Sequence, residues 1–126
     1  MSAHRRRTGA LGEELAAREL ARRGWRILAR NARVPGVRGE LDLVAHDGAE
    51  LVVVEVKTCR DGEGGPASPL EQVTPRKRAK LRALAAAWVR ANAEGLPHGG
   101  LRVDVIGIRL DAADRVLEWQ HVRAAV

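Results

Sequence analysis

The sequence predicts an α/β domain built as a small mixed β-sheet flanked by helices. Three observations predict it. The stretch Arg38 to Thr58, RGELDLVAHDGAELVVVEVKT, parses as two strands joined by a tight turn with Asp47-Gly48 at its tip. Segments of helical periodicity lie on either side of that hairpin. A further alternating segment, Leu101 to Leu110, reads as a strand after the second helix. With 126 residues, 45% hydrophobic and 30% charged, the chain suits one domain, 1–126, with a single core that needs no staples.

The elements follow in order. Gly9 to Arg23 reads as a helix ended by Gly24, a residue suited to the left-handed conformation of a C-cap. Residues 1–8 before it read as a flexible basic arm. Trp25 to Arg33 reads as a strand, and Pro35-Gly36 turns the chain into the hairpin. Val52, Val53, Val54 and Val56 make the second hairpin strand apolar on both faces, as an interior strand covered on both sides requires. Cys59 to Leu70 is Gly/Pro-rich and aperiodic, so it reads as a mobile loop. Thr74-Pro75 is an N-cap followed by proline at the first helical position, opening a helix to about Ala93. Its inward stripe is Leu81, Leu84, Ala85 and Trp88. Gly95 to Gly100 forms a loop, and Arg115 to Val122 closes the chain as a short edge strand.

Charge and composition bound the function. A formal charge of +6 points to a polyanionic partner. Trp25, Trp88 and Trp119 are the only aromatic residues besides histidine, too few for a single-strand stacking platform; duplex or branched nucleic acid gripped through its backbone fits better. No apolar run approaches membrane-span length, and MSAHRRRTGALGEEL lacks the apolar core of a signal peptide, so a cytoplasmic protein without membrane partners is expected. The single Cys59 excludes an internal disulfide and fits a reducing compartment. His4, His46, His98 and His121 are scattered without zinc-ligand spacing. The glycines after Arg60 are followed by no G-K-[ST], which excludes a P-loop.

The hairpin carries the chemistry. Side chains alternate across a strand, so Val53, Glu55 and Lys57 share one face. A two-residue loop sets Asp42 opposite Val53, and a four-residue loop sets it opposite Glu55; either way the two carboxylates share a face. Carboxylates that close repel, and burying them is costly without compensation, which a divalent cation would supply. On the first helix, Ala10, Glu13, Ala17 and Leu20 fall on one face, so Glu13 either faces the sheet or sits at the rim of that stripe. Lys77 is in line with Leu81, Leu84 and Trp88, yet reads more simply as a first-turn lysine in solvent. Arg5, Arg6 and Arg7 form one basic cluster, and Arg76, Lys77, Arg78, Lys80 and Arg82 another, both suited to phosphates without base readout.

GELD followed by VVEVKT resembles the D-x(n)-E-x-K core of the PD-(D/E)-x-K nuclease superfamily. The chain is similar to its YraN-like family of small bacterial proteins over nearly its full length. The similarity runs through Gly12, Glu13 and Ala16, then Asn31 and Arg33, GELDLV, VEVKT, a Lys-bearing helix and the strand Val103 to Val105. The family's fold also resembles that of archaeal Holliday-junction resolvases. The resemblance implies a restriction-endonuclease-like core and one catalytic site of Glu13, Asp42, Glu55 and Lys57. This chain departs from the family in having Val53 and Val103 where aromatics are usual and Cys59 where an arginine is usual. Arg60 stands next to Cys59 and is placed to substitute for that arginine.

Such a site would run metal-assisted phosphodiester hydrolysis. Mg²⁺ or Mn²⁺ would be held by Asp42, Glu55 and the backbone carbonyl of Val56, with Glu13 on the ion or its water shell. Lys57 would orient the attacking water or neutralise the transition state. Glu40, also on the first hairpin strand, reads as an outer group. Arg5, Arg6, Arg7, Arg33, Arg60, Arg76, Lys77 and Lys80 would contact the nucleic acid. The expected function is a metal-dependent endonuclease acting on DNA, structure-selective and linked to repair or recombination. Its rivals are a non-catalytic nucleic-acid-binding or adaptor protein that keeps the fold, and a structural protein with a buried ion-pair network. A lone site makes paired cuts only as a homodimer, for which Leu11 and Leu15 offer a seam.

Overall fold

The computed structural model describes residues 2–63, 71, 73–92, 94–96 and 99–126. Residues 64–70 of the expected loop, Ala93 and His98 lie outside them. The elements are α1 (Ala3–Arg22), β1 (Arg26–Val34), β2 (Val37–His46), β3 (Leu51–Arg60), α2 (Pro75–Asn92), β4 (Leu101–Leu110) and β5 (Val116–Val122). They form one five-stranded mixed sheet in the order β1-β2-β3-β4-β5. Only β3 and β4 run parallel, as a connection through a helix allows; the other three pairs are antiparallel. The α/β fold expected from the sequence is the one observed.

Two boundaries differ, each for a local reason. The first helix begins at Ala3 rather than Gly9, because the Ser2 side chain caps it by accepting the Arg5 N–H at 3.1 Å. Arg5, Arg6 and Arg7 are therefore helical, not part of a flexible arm. Cys59 and Arg60 belong to β3 rather than to a loop, since the parallel ladder with β4 continues through Cys59–Arg109 and Arg60–Leu110. The second helix runs to Asn92, in line with the expected end near Ala93. The end of α1 is as expected: Gly24 has φ +92°, Gly24 N–H donates to the Ala21 carbonyl, and Trp25 N–H to that of Leu20, both at 3.0 Å. That pair of bonds is a Schellman motif, which glycine adopts without a Cβ penalty.

The sheet separates two cores. On one face α1 places Ala16, Ala17 and Leu20 against Leu43, Val52, Val54, Ile106 and Ile108. On the other, α2 places Leu81, Leu84, Ala85 and Trp88 against Val44, Val53, Val103 and Val105. The six residues Leu51 to Val56 are all buried, because β3 is covered on both faces. Leu11 and Leu15 are partly buried and pack against the α1-side core. The α1 stripe is centred on Thr8, Gly12, Ala16 and Leu20, while Ala10 is exposed. Gly12 is required by contact: a Cβ there would collide with the Thr58 side chain. Glycine thus lets α1 lie close against β3, and its neighbour Glu13 is carried to the strand's functional end.

Candidate active site

The β2–β3 hairpin has a four-residue turn. Leu43 pairs with Val54 and His46 with Leu51, so the same register sets Asp42 opposite Glu55. Asp47 builds the turn, accepting the N–H groups of Ala49 and Glu50 at 2.9 and 2.8 Å. The paired ladder stops at Leu43–Val54. Beyond it β2 bends away through Gly39, which has φ +109°, and the Asp42 carboxylate accepts the Val56 N–H at 2.8 Å. A side chain thus takes the place of a backbone partner where the strands part, and this is how Asp42 is held at the centre of the sheet.

Glu55 stands next to it, only 8% exposed. Two lysines converge on its Oε1: Lys57 Nζ at 3.6 Å and Lys77 Nζ at 3.9 Å. Lys77 was expected in solvent. Instead it is half-buried, because the stripe of Leu81, Leu84 and Trp88 turns that side of α2 towards the sheet. Glu13 is half-buried at the flank of α1 and close enough to Asp42 for a hydrogen bond. The structure therefore brings together the four residues Glu13, Asp42, Glu55 and Lys57, and adds Lys77.

The electrostatics reflect crowding of like charges. Burial, then the nearby Glu55 carboxylate, pushes Asp42 up to about 8, against the opposing hydrogen bond from Val56 N–H. Glu13 is also raised, first by burial and further by Glu40 and Glu55, although its hydrogen bond with Asp42 works the other way. Lys77 is lowered by burial and by the adjacent Lys57, partly offset by Glu55 and Asp42. Displaced acids and a displaced base gathered at one place are characteristic of functional sites. A cavity of about 1120 Å³ opens beside them, lined in part by Glu13, Glu40, Lys57, Arg5 and Arg6.

The donor set suits a hard divalent ion, being carboxylate oxygens with an excess of negative charge. The side chains do not yet encircle one. Among the described residues no three His, Cys, Asp or Glu side chains are gathered round a metal-sized point. Val56 contributes its N–H, which donates to Asp42.

The other sequence-assigned residues divide. Arg60 is committed within the chain: its guanidinium donates to Thr8 Oγ1 and the Asp111 carbonyl, each at 3.0 Å, and pairs with Asp114 at 2.7 Å. Arg33 pairs with Glu40 at 3.2 Å on the surface. Arg5, Arg6, Arg7, Arg76 and Lys80 are exposed on the first two turns of the two helices. Trp25 and Trp88 are buried, which agrees with the absence of a stacking platform.

Sequence reasoning missed a second buried polar cluster, on the α1 face of β4, where Asp104 pairs with Val54. Asp104, fully buried, accepts two hydrogen bonds from Arg102 at 2.8 and 3.0 Å, one from Ala124 N–H at 2.9 Å, and contacts His121 Nε2 at 2.8 Å. Arg102 also reaches Asp47 and Glu50 at 2.9 and 3.2 Å. Every oxygen of Asp104 is engaged within the chain, so the cluster ties β4 to the hairpin turn and the C-terminus. The charged pair at Arg102 and Asp104 inside an apolar strand was the signal for it.

The family model described as "Uncharacterised protein family UPF0102" matches residues 12–108. The chain belongs to the UPF0102 family. A UPF0102 protein of Moorella thermoacetica is 42% identical, with 99% of each chain covered. One of Roseiflexus castenholzii is 41% identical over 100% of this chain and 98% of its own. One of Streptomyces coelicolor is 47% identical over 81% of this chain and 75% of its own. The matched span of UPF0102 begins at Gly12, beside Glu13, and contains Asp42, Glu55, Lys57 and Lys77. No helix among the described residues is long and apolar enough to cross a membrane.

Proposed function

We propose that this UPF0102 protein is a metal-dependent nuclease of the PD-(D/E)-x-K type, hydrolysing phosphodiester bonds in DNA. The observation that carries the reading is the Asp42–Glu55 carboxylate pair at the point where β2 and β3 part, with Lys57 Nζ 3.6 Å from Glu55. Two carboxylates forced together inside a sheet have a strained charge balance that Mg²⁺ or Mn²⁺ would relieve. Asp42, Glu55 and Glu13 are the residues to hold the ion, with the Val56 carbonyl as a further ligand. The ion's chemistry is polarisation of a phosphoryl oxygen and activation of a bound water.

This chain's residues supply the rest. Glu55 fixes the Lys57 ammonium, which lies at the cavity and faces the negative charge that grows on a phosphate under attack. The Val56 N–H orients Asp42. Basic first turns of α1 and α2 grip phosphates on either side of the site, without reading bases. DNA, duplex or branched, is favoured by the resemblance to junction resolvases, and with it a role in repair or recombination.

A second reading has an observation of its own. Because no three ligand side chains already surround a metal-sized point among the described residues, the fold can also serve as a non-catalytic DNA-binding adaptor. Cleavage of labelled duplex, single-stranded and four-way-junction DNAs separates the two. Wild type is expected to cut with Mg²⁺ or Mn²⁺ and not in EDTA, and Lys57→Ala to cut about 10²-fold more slowly, the scale for loss of one group stabilising transition-state charge. Folded wild type that binds DNA but cuts none of the panel would leave the adaptor reading.

A further inference from the structure

Position 77 is in the first turn of α2, opened by Thr74, whose hydroxyl accepts the Lys77 N–H at 3.2 Å, and by Pro75. Three and four residues are one helical turn, so Lys77 lies above Leu81 and Leu84 on the sheet-facing side. The next turn lies over the part of β2 that is no longer paired with β3: a Cβ on Gly39 would meet Lys80 Cε at 3.3 Å. Lys77 therefore enters the centre from the opposite side of the sheet to Glu13.

Two ammonium groups then approach one Glu55 oxygen, at 3.6 and 3.9 Å. Both distances exceed that of a direct N–H···O hydrogen bond, and the two like charges repel. Neither lysine is saturated by Glu55, and a single carboxylate oxygen cannot neutralise both. An anion with several acceptor oxygens would. Charge balance agrees: Glu13, Asp42 and Glu55 with two ammoniums leave one net negative charge, and a divalent ion turns this into one net positive. A phosphodiester carries the single negative charge that completes it. With Lys57 alone, the metal-loaded centre would be neutral and have no net attraction for the group it acts on.

We propose that Lys77 is a second phosphate-binding cation of the carboxylate centre, taking an oxygen of the substrate strand between itself and Lys57. The proposal deepens the nuclease reading and rests on it. Arg76 and Lys80, one turn apart on the same helix, extend the track outward. The strand is thus held between the first turn of α2 and the parted ends of β2 and β3.

The test compares Lys77→Ala and Lys77→Arg with Arg90→Ala, a charge-matched control on the exposed last turn of the same helix. A short labelled duplex is the probe. Binding is measured in Ca²⁺ and in EDTA at one ionic strength, and turnover in Mg²⁺. A charge-assisted hydrogen bond to phosphate predicts about tenfold or greater weakening for Lys77→Ala in Ca²⁺, with recovery in Lys77→Arg. In EDTA, Lys77→Ala should match Arg90→Ala. In Mg²⁺ its loss should fall mainly on kcat rather than KM. If Lys77→Ala fails to fold, Lys77→Gln, which keeps most of the stem, takes its place. Equal behaviour of the Lys77 and Arg90 variants in Ca²⁺ overturns the proposal. A Ca²⁺-dependent loss at Lys77 in a protein that never cuts supports the phosphate site while removing the nuclease reading.

Discussion

Asp42→Asn should lower metal-dependent cleavage by at least about 10³-fold, the several kcal/mol that a metal ion contributes to the transition state. The same substitution should make the metal-free protein more stable at pH 8, by about 2 kcal/mol. The sign follows from the direction of the shift. Asp42 is raised from 3.8 to about 8 on folding, so the folded state holds a proton that the unfolded chain releases. Stability is then fullest below about pH 4 and is lost as pH rises through 8. Asn cannot ionise; it still offers an oxygen to the Val56 N–H and gains an N–H₂ to donate to Glu55. Each unit is worth about 1.4 kcal/mol, a ceiling of roughly 5 kcal/mol. Glu55 and Glu13 share the relief, which brings the gain to about 2. Urea unfolding of both proteins in EDTA at pH 4 and pH 8 measures it, with no difference expected at pH 4. A structural ion-pair network at this place requires the reverse, a marked loss of stability in Asp42→Asn.

Asp104→Ala should be the most destabilising single change outside the apolar core, costing about 3–4 kcal/mol at pH 7. It removes the partner of Arg102 and His121 in a fully buried setting and orphans the Ala124 N–H. Roughly 10 °C of thermal midpoint is the corresponding shift for a chain this size. Although burial works to raise Asp104, hydrogen bonds from His121, Arg102 and Ala124 N–H outweigh it and hold it at about 2. The stabilisation is thus complete above pH 4 and disappears as pH falls towards 2. Because Asp104 pairs with Val54 on the α1 face, the face opposite to that of Glu55, turnover per folded molecule should change little. Thermal melts at pH 7 and pH 3 beside cleavage assays check both statements, the variant's deficit being smaller at pH 3.

What could be read from the sequence depended on whether a residue's neighbours were local. The hairpin, the Gly24 terminus and the Thr74-Pro75 start are written in adjacent residues, and they appear as expected. The pairing of Asp42 with Glu55 followed from strand alternation once the turn length was known; only the structure shows that the turn has four residues. Glu13 could not be placed from its helix alone, because the approach of α1 is set by Gly12 against Thr58, 46 positions apart in the chain. Lys77 was misjudged despite lying on the apolar stripe, since a first-turn lysine usually reaches water. Arg60 looked free in the sequence, yet it has partners within the chain, because Thr8, Asp111 and Asp114 come from remote segments. Long-range partners, not local propensity, decide these positions.

The central claim is that Asp42 and Glu55 hold a divalent ion beside a bound phosphodiester. Mn²⁺ titration, followed by the paramagnetic resonance of the free aqua ion, tests it most directly, with a phosphorothioate duplex present to prevent turnover. Wild type should take up Mn²⁺, and Asp42→Asn, folded and at least as stable, should lose most of that uptake. Equal uptake by the two proteins, or none by either, would contradict the account.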